Sequence, residues 1–176
     1  MGVCLSWVRF LRRFGFSLGG STPSVSVAES GAAPPIAPLT DTERLSRYVT
    51  TRDHFSVAKN EVHFRAFLPP NRNRELSIMR THDLEEAGVW ILGDAVAAPT
   101  NRTVYARGDF LAPDVRDSFV DSWRLSVRPD DDPPRHALIE GWPSHEVSPE
   151  IRKSLAQQLR ARSTLTVRPA PSDTPA

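Results

Sequence analysis

Apolar positions recur along this chain with two different spacings, and the change of spacing marks where helices give way to strands. Val147, Ile151, Leu155 and Leu159 return every fourth residue behind Ser148 and Pro149, a capping residue followed by the imino acid suited to a first helical turn. The spacing predicts a helix from about 149, with Arg152, Arg160 and Arg162 turned to solvent. A second helix is expected behind Asp83-Leu-Glu-Glu86, whose acidic first turn suits a helix N-terminus, running to Leu92 and stopping at Gly93. A third follows Thr40-Asp-Thr-Glu43, a capping-box spacing, with Leu45, Tyr48 and Val49 at helical intervals over about 41–49.

Alternation with a period of two appears in Glu61–Leu68, where Val62, Phe64, Ala66 and Leu68 face away from His63 and Arg65. It returns in Leu76–Arg80 after a turn-forming Pro-Pro-Asn stretch, so these two segments read as strands of a hairpin. Shorter strands are expected at Thr103–Asp109, Trp123–Val127, Ala137–Glu140 and Thr164–Val167, the last added at a sheet edge. Helices and strands interleave without the regular repeats of a doubly wound fold. The reading is therefore α+β: a small mostly antiparallel sheet with two or three helices.

The 176 residues divide by composition. Residues 1–39 form a basic amphipathic segment and a flexible linker rich in Gly, Ser, Ala and Pro, residues 40–168 a single α+β domain, and residues 169–176 a disordered tail. The formal net charge is +1. Residues 1–28 hold Arg9, Arg12 and Arg13 and no acid, so 19 basic and 21 acidic residues remain for the rest. The folded part is mildly acidic and carries no strong nucleic-acid signal. Within residues 1–16 the arginines share one helical face and Trp7, Leu11 and Phe14 another, the form of a peripheral membrane contact. Gly2 behind Met1, with Ser6, fits an N-myristoylation pattern and Cys4 a palmitoylation site.

All but Lys59 and Lys153 of the 22 basic residues are arginines, and the bias toward Arg, Ala and Pro points to a GC-rich, bacterial source. A single cysteine excludes an intramolecular disulfide framework and fits a reducing, cytoplasmic compartment, with a peripheral membrane location as the alternative. No metal or cofactor motif occurs: there is no Gly-rich phosphate loop, and none of the five histidines lies three or four residues from another.

Two stretches are dense in chemistry. Arg52-Asp-His-Phe-Ser56 combines a guanidinium, an acid and an imidazole, and Pro133 to Pro143 carries Arg135, His136, Glu140 and Trp142. His54-Phe55-Ser56 has the His-x-Ser form of two-histidine phosphoesterases, but the second copy that chemistry needs is missing. The leading expectation is an accessory or interaction domain that acts by binding an unknown protein partner, with Arg52, Arg135 and Trp142 as binding residues. The alternative is a phosphoester or nucleic-acid-processing enzyme. There His54 and His136 serve as base and acid, Arg80 or Arg135 neutralises a phosphate and Glu140 orients an imidazole. That alternative requires His54 and His136 or Glu140 to line one pocket. Asp130-Asp-Asp132 reads as a solvated turn.

Overall fold

The structure is a computed structural model. It describes residues 36–130 and 132–170, which lie within one compact unit. The acylation residues Gly2 and Cys4, the basic segment 1–16 and the end of the tail lie outside the described residues.

The architecture is α+β. Strands β1 (Arg44–Val49), β4 (Leu76–Arg80), β5 (Ala106–Leu111), β8 (Ser126–Pro129), β9 (His136–Glu140) and β10 (Thr164–Val167) form one antiparallel sheet in the order β10-β5-β1-β4-β9-β8. Two short ribbons, β2 (Phe55–Ser56) with β3 (Glu61–Val62) and β6 (Phe119–Val120) with β7 (Trp123–Arg124), sit beside it. Three α-helices occur among the described residues: α1 (Glu86–Ala97), α2 (Ala112–Arg116) and α3 (Pro149–Arg162). None is long and apolar enough to cross a membrane.

Register sorts the sheet into two faces, because residues paired across a ladder point the same way. Leu45 opposes Arg80 and Phe110, and Ile78 opposes Ala137. Leu45, Phe110, Ile78 and Ala137 therefore share the face that carries the main core, with Phe67, Trp142, Leu155 and Leu159 packed against it. Each of the large aliphatic and phenylalanine side chains among these contributes about 1.5–3 kcal/mol on burial. Gly108 belongs to this face, where a Cβ would meet Phe67 at 2.9 Å and Val62 at 3.1 Å, so β3 and the 3-10 turn Phe64–Phe67 lie on the same side. The other face carries Ser46, Tyr48, Met79, Arg107, Asp109 and His136.

Helix α1 covers part of that second face through polar contacts. Arg107 grips both oxygens of Glu86 and of Asp109, Trp90 donates to Glu86, and the Arg107 guanidinium lies 4.7 Å from the Trp90 ring centroid. Tyr48 donates to the carbonyl of Val89.

Several sequence expectations are corrected by this arrangement. Residues 44–49 form the strand β1, not a helix over 41–49. Leu45 and Val49, four apart, satisfy a period of two as well as a helical one, and the intervening face is also covered, by α1. Glu43 does reach back to the Thr40 amide in capping-box fashion, but it is buried and paired with Arg80, which ends the helical turn. The expected hairpin of Glu61–Leu68 with Leu76–Arg80 does not form: β3 pairs β2, β4 lies between β1 and β9, and residues 64–67 coil as a 3-10 turn. Helix α1 passes through Gly93, which is there for close approach, since a Cβ would lie 2.7 Å from Tyr48 Cε1. Ser148 and Pro149 open α3 as expected, without a side-chain cap bond. Val147, however, is exposed, and Arg152 is buried, with only 2% of its surface exposed. The edge strand β10 is where the spacing placed it.

Candidate functional site

The two faces separate the residues proposed for phosphoester chemistry. His54 ends the 3-10 turn Arg52–His54 before β2 and accepts the His63 amide through its carbonyl, so it belongs to the ribbon on the core face. Burial, followed by the charges of His63, Arg65 and Arg47, holds its imidazole below the ordinary histidine range. Arg80 points to the core face at the end of β4 and binds Glu43 at 2.5 Å. His136 and Glu140 are on the opposite face, four residues apart on β9, which is about 13 Å along a strand. Glu140 accepts from Arg128 at 2.6 Å. The structure does not bring His54, Arg80, His136 and Glu140 to one place.

The binding residues also scatter. Arg52 is exposed, with its guanidinium 4.4 Å from the Tyr105 ring centroid. Arg135 braces the end of β9 against Asp83, whose carboxyl its bonds hold down to about 2. Trp142 is completely buried and donates to the Ile139 carbonyl, so its role is packing, not contact with a partner.

Two constellations that sequence reasoning missed do form. The first surrounds His136. Its Nδ1 lies 2.7 Å from Asp130 Oδ2 and its Nε2 2.7 Å from Ser77 Oγ. The hairpin of β8 and β9 sets this geometry, since the Asp130 amide donates to the His136 carbonyl and closes the ladder. Ser77 enters from β4: Met79 opposes His136 and Ser77 is two residues along on the same face. An ionised Asp130 only accepts, so Nδ1 carries the proton in the neutral ring and Nε2 accepts from the Ser77 hydroxyl. His136 is nearly buried, with 11% of its side chain exposed, while Asp130 keeps 31% and Ser77 is half-buried. Ser77 carried no signal of its own, since a polar residue between Leu76 and Ile78 is the ordinary pattern of an alternating strand. Asp130 was hidden among three consecutive acids.

The second constellation is a cleft of about 270 Å³ between the turn Phe64–Phe67 and the first turns of α3. Phe64, Leu68 and Pro149 supply apolar wall, and Arg65, Lys153 and His145 supply basic groups, with Glu150 opposing them. Arg152 lies behind it. Its Nη1 donates to the carbonyls of Asn73 and Pro143 and its Nη2 to those of Pro69 and Pro70, at 2.7–3.3 Å. No described carboxylate accompanies this guanidinium, and burial lowers its pKa.

Comparisons of the chain with protein-family models, with curated proteins and with solved structures gave no match. The chemistry of these two places therefore rests on their geometry alone. Among the described residues no group of three or more His, Cys, Asp or Glu side chains is disposed to hold a metal ion.

Proposed function

We propose that the domain acts by binding, and that the cleft beside α3 receives an acidic, partly apolar segment of a protein partner. The observation that carries this reading is the distribution of counter-charges. Several arginines elsewhere on the described surface are matched by carboxylates, Arg128 with Glu140, Arg135 with Asp83, Arg160 with Glu61 and Arg168 with Asp94, while Arg52 and Arg124 lie against aromatic rings. At the cleft that matching fails. Arg65 has no described carboxylate within reach, Lys153 comes only to 3.9 Å from a largely exposed Glu150, and Arg152 is met by carbonyls. Positive potential thus collects beside the apolar surface of Phe64 and Leu68, the pairing that an acidic peptide with an apolar side chain complements.

Contacts of exposed cations are individually worth about 0.2–1 kcal/mol, so the affinity is modest and falls as salt rises. The test is an amide-resonance titration of the full chain with a peptide of alternating Glu and Leu. Perturbations are expected to cluster at Arg65, Leu68 and Lys153 and to vanish in a double variant, Arg65→Glu with Lys153→Glu. Perturbations scattered over the surface, or none at millimolar peptide, would refute the assignment.

The same reading puts the domain in the cytoplasm, with residues 1–16 as a second attachment to a membrane surface. Fractionation of the full chain beside a form beginning at Thr40 tests that tether. Equal solubility of the two removes it.

A further inference from the structure

We infer that Ser77 is an activated nucleophile, and that the opposite face of the sheet carries a Ser77–His136–Asp130 relay able to take an acyl group from a carboxylic ester. The inference is independent of the cleft, which lies on the other side of the sheet.

Three features support it. Both hydrogen bonds are short and in series, at 2.7 Å each, running from hydroxyl to Nε2 and from Nδ1 to carboxylate. This is the order of roles in which a histidine accepts the serine proton while an acid fixes its tautomer. Each member is held by a rigid element: Ser77 within β4, His136 at the start of β9, and Asp130 by its backbone bond across the hairpin. The face is not sealed, because Asp130 and the half-buried Ser77 keep contact with solvent. Leu138, directly opposite Ser77 in the ladder and also half-buried, offers an apolar neighbour to a short acyl chain.

The chemistry balances within the relay and the substrate. Ser77 Oγ attacks the ester carbonyl carbon as its proton passes to His136 Nε2. The tetrahedral adduct collapses, the C–O bond to the alcohol breaks, and the imidazolium returns that proton to the leaving oxygen. Water then repeats the sequence on the acylated serine and releases the carboxylic acid. Asp130 stays ionised throughout and steadies the imidazolium. General-base assistance of this kind supplies about 10²–10⁴-fold.

Two readouts separate this from a histidine that merely bridges strands. Incubation of the full chain with a fluorophosphonate probe, followed by peptide mapping, is expected to place the label on Ser77. Asp130→Asn should cut the labelling rate about a hundredfold or more. Ser77→Ala should abolish labelling while circular dichroism shows a fold unchanged from the parent. p-Nitrophenyl acetate should give a burst of nitrophenol in the parent that Ser77→Ala lacks. Three results would overturn the assignment. They are no labelling of the folded parent, a label on another residue, or labelling of Ser77 that Asp130→Asn and His136→Asn leave unchanged.

Discussion

Replacing Arg152 by leucine separates two opposing contributions that the structure puts in one side chain. The guanidinium is 2% exposed and has no described carboxylate beside it, so its desolvation is a cost to the folded state. Against that stand its bonds to four carbonyls, which tie the first turn of α3 to the 69–73 loop and to Pro143. Leucine fills comparable apolar space and donates nothing. Pro70 and Asn73 are exposed and can turn to water, whereas Pro69 and Pro143 are buried, leaving two acceptors without a donor. At about 1–3 kcal/mol for each, less the relief of the buried cation, the expected net loss is ~2–4 kcal/mol.

For a domain of this size that loss corresponds to a fall in Tm of roughly 6–16 °C. Urea unfolding followed by tryptophan fluorescence measures it, with the fully buried Trp142 as one reporter. Arg152→Lys keeps the charge and loses the planar fork, so it should fall between the parent and leucine. If the leucine variant is as stable as the parent or more so, the carbonyl network does not outweigh the cost of burying the cation, and the reasoning fails.

Two further outcomes follow from backbone geometry and charge. Gly141 has φ +89°, and a Cβ there would lie 2.2 Å from the Arg124 carbonyl oxygen, an atom that cannot swing away, so Gly141→Ala should cost about 3 kcal/mol or more and be visible as a loss of soluble folded protein. Stability should decline with acid in two steps. His54 is held below the ordinary histidine range of about 6.5, so its contribution is complete above that pH and lost as pH falls through it; His54→Asn should remove this upper step. Glu86, Asp94 and Asp83 are depressed by bonds from Arg107, Arg168 and Arg135, Asp83 to about 2. Their contribution is complete above about pH 4 and lost below it, and is small because all three side chains are largely exposed. Urea midpoints from pH 8 to pH 2.5 test both steps, and a rise in stability between pH 7 and pH 5.5 would contradict the first.

The elements readable from sequence are those with one buried face. β10 and α3 have this form, and in β4 and β9 the second face is still half-open at Ser77, Leu138 and Glu140, so apolar spacing placed all four within a few residues. β1 was unreadable because it is central and covered on both sides: Leu45 and Val49 meet the core, while Ser46 and Tyr48 meet Thr81, Asp109 and α1 through hydrogen bonds. Polar residues buried by partners far along the chain look like surface. Arg152 misled for the same reason, since a helix rich in arginine gives no local sign that one of them faces inward. Of the relay, His136 was legible as chemistry, while Ser77 passed as the ordinary polar position of an alternating strand. Asp130 was not, because its role depends on a hairpin register that no spacing within its own segment reports.

The excess of arginine over lysine acquires a physical meaning from these partners. Genomic composition can supply arginines without assigning them work, yet several here make contacts that only a planar, multidentate donor could make. Arg47 sits where the β1–β4 ladder stops after Ser46 opposite Met79, and bridges the gap by donating to the carbonyls of Ala66 and Ser77. Burial holds its pKa down to about 10, still high enough to stay charged at neutral pH. Arg152 does the same between α3 and a loop, and Arg107 joins two carboxylates on different elements. A lysine's single ammonium has the donors but not the reach in two directions at once. With these guanidiniums committed to bracing and many surface ones matched by acids, a near-neutral total charge says little about where potential resides. It resides where the matching lapses. At the cleft Arg65, without a described carboxylate, and Lys153 adjoin the half-buried apolar wall of Phe64 and Leu68, which is why a search for the partner should begin there and with an acidic sequence.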